Sequence, residues 1–446
     1  MKINFFDTDS YKIGMWKQLP ANTSRSMSYL EARGGGDHIK FVGLQYVLQQ
    51  LEVPTVEEVK EVQKRCLNHF GRDDVFNYDG WMQIAKMRYL PLKVRSVPEG
   101  GVYPTSMPLV TVENTLPGFE WLVTWFETQI MRVWYPTTVA TRSWEIKQLI
   151  TDYLELNGAP ESIGFKLQDF GSRGVSSSES AAIGGFAHLT NFMGTDTLAG
   201  WEMALEYYRA KPEEIGYSIS ASEHSVISAW SKDGERDAFA NMIEQFGGDG
   251  KLYACVSDTY NIWNALEIWK SLEDDIIAKG GTLVIRPDSG DPVETPIKVV
   301  KRLIELFGST NNDKGFKVLP SYIRVIQGDG VEYESIRRIL EGLHNEGISS
   351  DNIVFGMGGK LLQSHSRDDF KFAYKMCAIT VDGEERDVYK DPITDPSKRS
   401  KAGYLTVDAD CCTIRERELR GVELMETIWQ EGRFLKEVTL SDLRKV

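Results

Sequence analysis

From about residue 160 the chain repeats one pattern: a short apolar run, a small or polar cluster, then a helical stretch. The runs are "FKLQDFGSRG", "HLTNFMGTDT", "YSISASEHS", "LYACVSDTY", "TLVIRPDSGD", "YIRVIQGDG", "NIVFGMGG" and "FKFAYKMCAIT". Eight such units, roughly 20–40 residues apart, are what a closed β/α barrel requires. No repeated sequence accompanies them, so the period is architectural and not that of a solenoid. In such barrels chemistry sits at the C-terminal ends of the strands, where these polar clusters fall. The fold class expected is α/β, a β/α barrel-like domain over 156–380. A second α+β domain combines 1–155 with the segment 381–446 packing back on it. Within 1–155, "VEEVKEVQKRCLNHF" (56–70) has helical spacing and 90–114 alternates like antiparallel strands. The apolar stretch 119–136 reads as a buried helix stopped at Pro136.

Bulk properties narrow the function classes. The 446 residues carry a formal net charge of −14, which disfavours nucleic-acid binding through a basic surface. A hydrophobic content of 41% excludes global disorder. The five cysteines show no CxxC spacing and fit reduced thiols. The start turns acidic at once, and no run approaches the ~18 apolar residues of a membrane span. A soluble, cytoplasmic protein is expected.

The strand-end clusters offer specific chemistry, each beside a plainer reading. Glu223 and His224 stand where strand gives way to helix, as rim residues or as a helix start with Ser222 as N-cap. Arg286 and Asp288 in "IRPDSGDP" suit Mg²⁺ held through water, ribose hydroxyls or a positive charge; the alternative is an Asx-turn at Asp288. Asp329 lies between Gly328 and Gly330, which permit close backbone approach or simply make a turn. Gly356, Gly358 and Gly359 follow the seventh strand, a frequent phosphate position in barrels. Arg367, about two turns into the expected helix, is either a phosphate ligand or a solvated side chain. Phe170 beside Arg173 could stack on a planar ring or pack in the core, and Asp196 is an amide acceptor or an N-cap.

In this order the motifs resemble those of the nicotinamide phosphoribosyltransferases of NAD salvage. Besides the strand ends, "TDSYK" (8–12), "FVGLQYVL" (41–48), "HFGRDDVFNYDGW" (69–81), "WYPTTVATRS" (134–143), "VSDTYN" (256–261) and "KDPITDPSKRSKAG" (390–403) carry the resemblance. It implies a homodimer with active sites shared between subunits. It implies Phe170 and the partner subunit's Tyr11 around the nicotinamide ring, Asp196 on the carboxamide and Arg286 in the same pocket. Asp288, Gly328 and Asp329 would meet ribose and Mg²⁺-pyrophosphate, and Gly358 and Gly359 the 5′-phosphate. Arg173 and Arg367, with Arg33, Lys390 and Lys398 from across the interface, would surround the phosphates. Asp9, beside Tyr11, joins the substrate-binding set. Asp258 would orient His224, which the family phosphorylates with ATP, with Glu223 beside it. Mg²⁺ is expected through the pyrophosphate with Asp288 nearby, and ATP as an activating co-substrate.

The chain departs from the family pattern at Lys360, where a third Gly is usual, and at Ala254 and Ala373, where Ser is usual. "RGGGD" (33–37) replaces a longer insertion of animal members, which bears on regulation and ATP dependence. Nicotinate phosphoribosyltransferase is the nearest alternative, and Asp196 argues against it because two facing carboxylates repel. A sugar-phosphate aldolase or isomerase would want a strand-end Lys or an enolising Glu. A non-catalytic dimeric signalling protein would have no use for an acidic, glycine-rich rim.

Overall fold

Strands covered on both faces read as unbroken apolar runs and pair in parallel. In the computed structural model, which describes residues 4–394 and 399–445, the chain divides into two units. One comprises Arg142–Leu205 and Lys211–His365. Its strands are β1 (Leu167–Asp169), β2 (Gly194–Thr195), β3 (Ser220–Ala221), β4 (Leu252–Val256), β5 (Thr282–Arg286), β6 (Ile323–Gln327) and β7 (Ile353–Met357). They lie in the order β2–β1–β7–β6–β5–β4–β3, every pairing parallel. A parallel bridge between Gly194 and Tyr217 joins the two ends. There Thr195 N–H donates to Tyr217 O at 3.0 Å and Tyr217 N–H to Met193 O at 2.7 Å. The ring closes on seven strands, not eight.

Helices follow the strands for local reasons. Glu294–Phe307 buries Pro296, Val299, Val300, Leu303 and Phe307 on one stripe and ends before Gly308, whose φ of 80° favours glycine. Tyr333–Asn345 buries Ile336, Ile339, Leu340 and Leu343 in the same way. Ile262–Ser271 is capped by Asn261, whose side chain accepts from the N–H groups of Trp263 and Asn264. Inside the ring Ala254, Val284 and Ile326 form a buried layer against which Phe170 and Val354 pack. Ala254, one of the departures from the family pattern, is therefore an interior residue.

The expected eighth strand lies elsewhere. Phe372–Val381 pairs antiparallel with Thr23–Ala32 over nearly its whole length, in the unit formed by Met1–Thr141, Glu206–Ala210 and Ser366–Val446. Its sheet runs in the order Glu384–Asp387, Phe372–Val381, Thr23–Ala32, Pro108–Asn114, Leu92–Ser96, Glu426–Gln430, Arg433–Phe434. All of these pairings are antiparallel. Ala373 sits in it opposite Glu31. Phe5, Trp81 and Trp125 cluster nearby, with Trp81 4.5 Å from Phe5 and 4.9 Å from Trp125 between ring centroids. Val56–Phe70 is the helix its spacing implies, opened by a capping box from Thr55 and Glu58. The stretch 119–136 instead breaks into Leu122–Trp125 and Glu127–Met131, and Pro136 falls in the first turn of Trp134–Asn157. Proline is tolerated there because a first-turn N–H has no helical acceptor. It opens a helix and does not stop one. Among the described residues no helix is long and apolar enough to cross a membrane.

Candidate active site

A ring of parallel strands delivers all its strand ends to one rim, and each end here carries a residue with chemistry to offer. After β3, Ser222 is buried and its hydroxyl accepts from Val256 N–H at 3.0 Å. It ties β3 to β4 and does not cap the helix. The cap position of His224–Ser228 falls to Glu223, which makes no side-chain cap bond. The Glu223 carboxylate accepts from the Ser225 hydroxyl instead. His224 opens the helix with its imidazole about half exposed. Its Nε2 lies 3.6 Å from Asp258 Oδ1 and 3.5 Å from Asp288 Oδ2. Its Nδ1 is 3.3 Å from Thr259 Oγ1. The carboxylates facing the ring are thus Asp258 and Asp288, while Glu223 is engaged elsewhere.

Asp258 holds the turn after β5. Its Oδ2 accepts from Asp288 N–H at 3.0 Å and from the Ser289 hydroxyl. Its Oδ1 is buried without a hydrogen-bond partner. Asp288 Oδ1 accepts from Arg286 Nε at 3.1 Å and Nη2 at 2.7 Å, a fork that fixes the carboxylate plane. Asp288 does not bond its own turn. Asp291 does that, accepting from the N–H groups of Val293 at 2.9 Å and Glu294 at 2.7 Å. Gly328 lies under the pair, since a Cβ there would come 3.4 Å from both Arg286 Nε and Asp288 Oδ1. Asp329 follows it, exposed, on a turn whose Gly330 has φ +63°.

Phe170 leaves β1 half-buried, and Arg286 sits 5.9 Å from its ring centroid. Gly356 must be glycine for this, because a Cβ would fall 2.0 Å from the Phe170 ring. Asp196 is exposed, with its N–H donating to Asp169 O at 2.9 Å and its Oδ1 accepting from Ser218 at 2.5 Å. Arg173 is exposed on the turn Ser172–Gly174, which packs on the glycine turn after β7: a Cβ on Gly174 would lie 3.2 Å from Gly359 Cα. Gly358 and Gly359 lead into a helix of only four residues, Gly359–Leu362, and Lys360 pairs with Glu332 at 3.1 Å.

The other expected site residues belong to the sheet unit. Arg367 is not two turns into a helix; it is exposed and bonded to Asp368 at 3.0 Å. Ser366 and Asp369 bond each other at 2.9 Å, one of the side-chain contacts that compete with helix after Leu362. Tyr11 is 65% exposed, with Lys12 Nζ 5.0 Å from its ring centroid. Asp9 accepts from Thr128 at 3.1 Å. Arg33 donates to Glu31 at 2.7 Å and keeps Nη2 buried without a partner. Lys390 is exposed, and Lys398 lies outside the described residues.

Sequence reasoning passed over Asp169, Ser218, Thr259 and Ser289. Asp169 stands inside the quoted "QDFGSRG", where a carboxyl one residue before an aromatic at a strand end was the available signal. Burial pushes its carboxyl up to about 6, and the neighbouring Asp196 charge adds in the same direction. Among the described residues no group of three or more His, Cys, Asp or Glu is arranged to hold a metal ion. Asp258 and Asp288, with one orphaned buried oxygen between them, fit a Mg²⁺ that brings phosphate oxygens and water as its remaining ligands.

Comparisons with known proteins agree with this architecture. The nicotinate-nucleotide pyrophosphorylase of Pyrococcus furiosus superposes with a TM-score of 0.66 at 13% identity, covering 99% of this chain and 93% of the other. Human nicotinic acid phosphoribosyltransferase follows at 0.58 and 17% identity, with 98% and 92% covered. The class is therefore the phosphoribosyltransferase fold with an added N-terminal domain. The nicotinate phosphoribosyltransferase (NAPRTase) family model matches residues 165–428, and the nicotinamide phosphoribosyltransferase N-terminal domain model matches 4–94. A nicotinamide phosphoribosyltransferase of Xanthomonas campestris is 45% identical over 98% of this chain and 96% of its own. One of Acinetobacter baylyi is 32% identical, over 98% and 95%. The chain belongs to the nicotinamide phosphoribosyltransferase family.

The raised Asp169 carboxyl yields a stability test. A group whose folded pKa lies above its unfolded value of 3.8 holds its proton more tightly when folded. Its contribution is complete below about 4 and is lost as pH rises through about 6. Asp169→Asn removes this titration. Stability of the wild type relative to the variant should fall across that window by on the order of 3 kcal/mol. Denaturant unfolding of both proteins from pH 4 to 7 measures it, and a pH-independent difference contradicts the assignment.

Proposed function

We propose that this chain transfers the phosphoribosyl group of 5-phosphoribosyl 1-pyrophosphate to nicotinamide, giving nicotinamide mononucleotide and pyrophosphate for cytoplasmic NAD salvage. The observation that carries the reading is one rim holding His224, Asp258, Arg286 and Asp288 in a chain 45% identical to a nicotinamide phosphoribosyltransferase. Departure of pyrophosphate leaves positive charge on the ribosyl ring, and carboxylates held rigidly nearby stabilise it without reorganising. Asp288, fixed by Arg286, faces that ring with Gly328 and Asp329. Gly358 and Gly359 hold the 5′-phosphate, with Arg173 lending charge. Asp258 and Asp288 would stand nearest to a Mg²⁺ bound with the pyrophosphate, which would supply charge neutralisation of the leaving group.

The base lies against Phe170, with Tyr11 of the partner subunit on its other face. Asp9, Arg33, Lys390 and Lys398 of the partner subunit complete the substrate surround of a homodimer. The exposure of Tyr11 supports this sharing. His224 takes the γ-phosphoryl group of ATP, releasing ADP, and the phosphorylated form holds Mg²⁺-pyrophosphate better.

Three outcomes follow from these assignments. Asp196 accepts from the carboxamide NH₂, a charged hydrogen bond worth roughly 1.5–3 kcal/mol, whereas nicotinate would oppose one carboxylate to another. The wild type should show the higher kcat/KM on nicotinamide, and Asp196→Asn should narrow the gap to nicotinate; equal wild-type values sink the reading. His224→Ala should abolish ATP hydrolysis and ATP stimulation of synthesis, and surviving ATPase activity removes His224 as the acceptor. Tyr11→Ala and Asp288→Ala homodimers should both be crippled. Random exchange between them makes about half the dimers mixed, each with one intact site, so roughly a quarter of sites recover. Exchange confirmed by mass spectrometry without regained activity rules out the shared site.

A further inference from the structure

Asp169 touches both walls of the base pocket, and no role above uses it. Its Oδ1 accepts from Gly171 N–H at 2.7 Å, turning the chain sharply after Phe170. Its carbonyl accepts from Asp196 N–H at 2.9 Å. The surroundings leave no slack. A Cβ on Gly171 would come 2.5 Å from Leu362 Cγ and 3.1 Å from Asp169 Oδ1, and one on Gly185 would come 3.3 Å from Asp169 Oδ2. The side chain is fully buried. Thr197 Oγ1 lies close enough to Asp169 to pull its carboxyl down against burial, but Oδ2 and that hydroxyl are both buried with no hydrogen bond of good geometry. An apolar side chain here would leave the buried Gly171 N–H without its acceptor, so the carboxyl does something an apolar group cannot.

We propose that Asp169 is a positioning residue for the base: one side chain and one carbonyl hold Phe170 and Asp196 at a fixed separation. Stacking and amide recognition then engage together. The inference rests on the nicotinamide reading above. Around this contact stand Asp196 from the β2 turn and Arg286 over the Phe170 ring.

The test compares Asp169→Leu, which keeps the branched shape but removes the acceptor, with Asp169→Asn, which retains it. Purified dimers are assayed with nicotinamide and 5-phosphoribosyl 1-pyrophosphate varied separately. Asp169→Leu should raise KM for nicotinamide at least about tenfold, leaving KM for the pyrophosphate donor within about twofold, as expected for a misplaced pocket wall. Asp169→Asn should stay within about threefold of the wild type for both. A merely structural residue would lower the active fraction, reducing kcat and leaving both KM values unchanged. That pattern, or an unchanged nicotinamide KM in Asp169→Leu, overturns the proposal. Should Asp169→Leu not fold, Asp169→Ala takes its place; if neither folds, the residue serves folding and the proposal is likewise overturned. A wild type that turns over only nicotinate overturns the base assignment alone, and the same comparison run with nicotinate still tests the positioning role.

Discussion

Parallel strands that close into a ring must bring all their C-terminal ends to one rim. In this chain the bridge between Gly194 and Tyr217 completes that ring, and the site depends on it. Without closure, the ends of β2 and β3 would be the two edges of an open sheet, and Asp196 and Ser218 would have no reason to meet. With closure, residues far apart in sequence become neighbours and their backbones are held by strand pairing. Rigid elements under polar side chains are what preorganised electrostatics requires.

The rim is acidic in an acidic protein, and its order comes from donors that hold the carboxylates. Asp258 is nearly buried, which is tolerable because the Asp288 N–H and the Ser289 hydroxyl point at it. Asp288 is held by the Arg286 fork. Neither depends on the imidazole for its geometry. His224 therefore faces two carboxylates whose positions are set by other partners. Glycines at 328 and 356 do complementary work by leaving room for the Arg286–Asp288 pair and for the Phe170 ring.

Much of this was legible in the sequence because strand ends announce themselves by a change from apolar to small and polar residues. Seven of the eight runs form the ring. "FKFAYKMCAIT" was indistinguishable because local pattern encodes a strand and not its partner, and this one pairs with Thr23–Ala32. Pro136 misled for a positional reason, since the same residue that ends a helix also suits its first turn. Ser222 looked like an N-cap until burial turned its hydroxyl toward β4. Asp169 and Ser218 were missed because their meaning lies in contacts across the ring. No local spacing reports that Asp169 supports Asp196 or that Ser218 bonds to it.

The central claim is that this rim joins a phosphoribosyl group to the ring nitrogen of nicotinamide. The direct measurement is product analysis by proton NMR and mass spectrometry after incubation with nicotinamide, 5-phosphoribosyl 1-pyrophosphate and Mg²⁺. The account predicts nicotinamide mononucleotide and pyrophosphate in equal amounts. Consumption of the donor without the mononucleotide, or no reaction while nicotinate is converted, would contradict it.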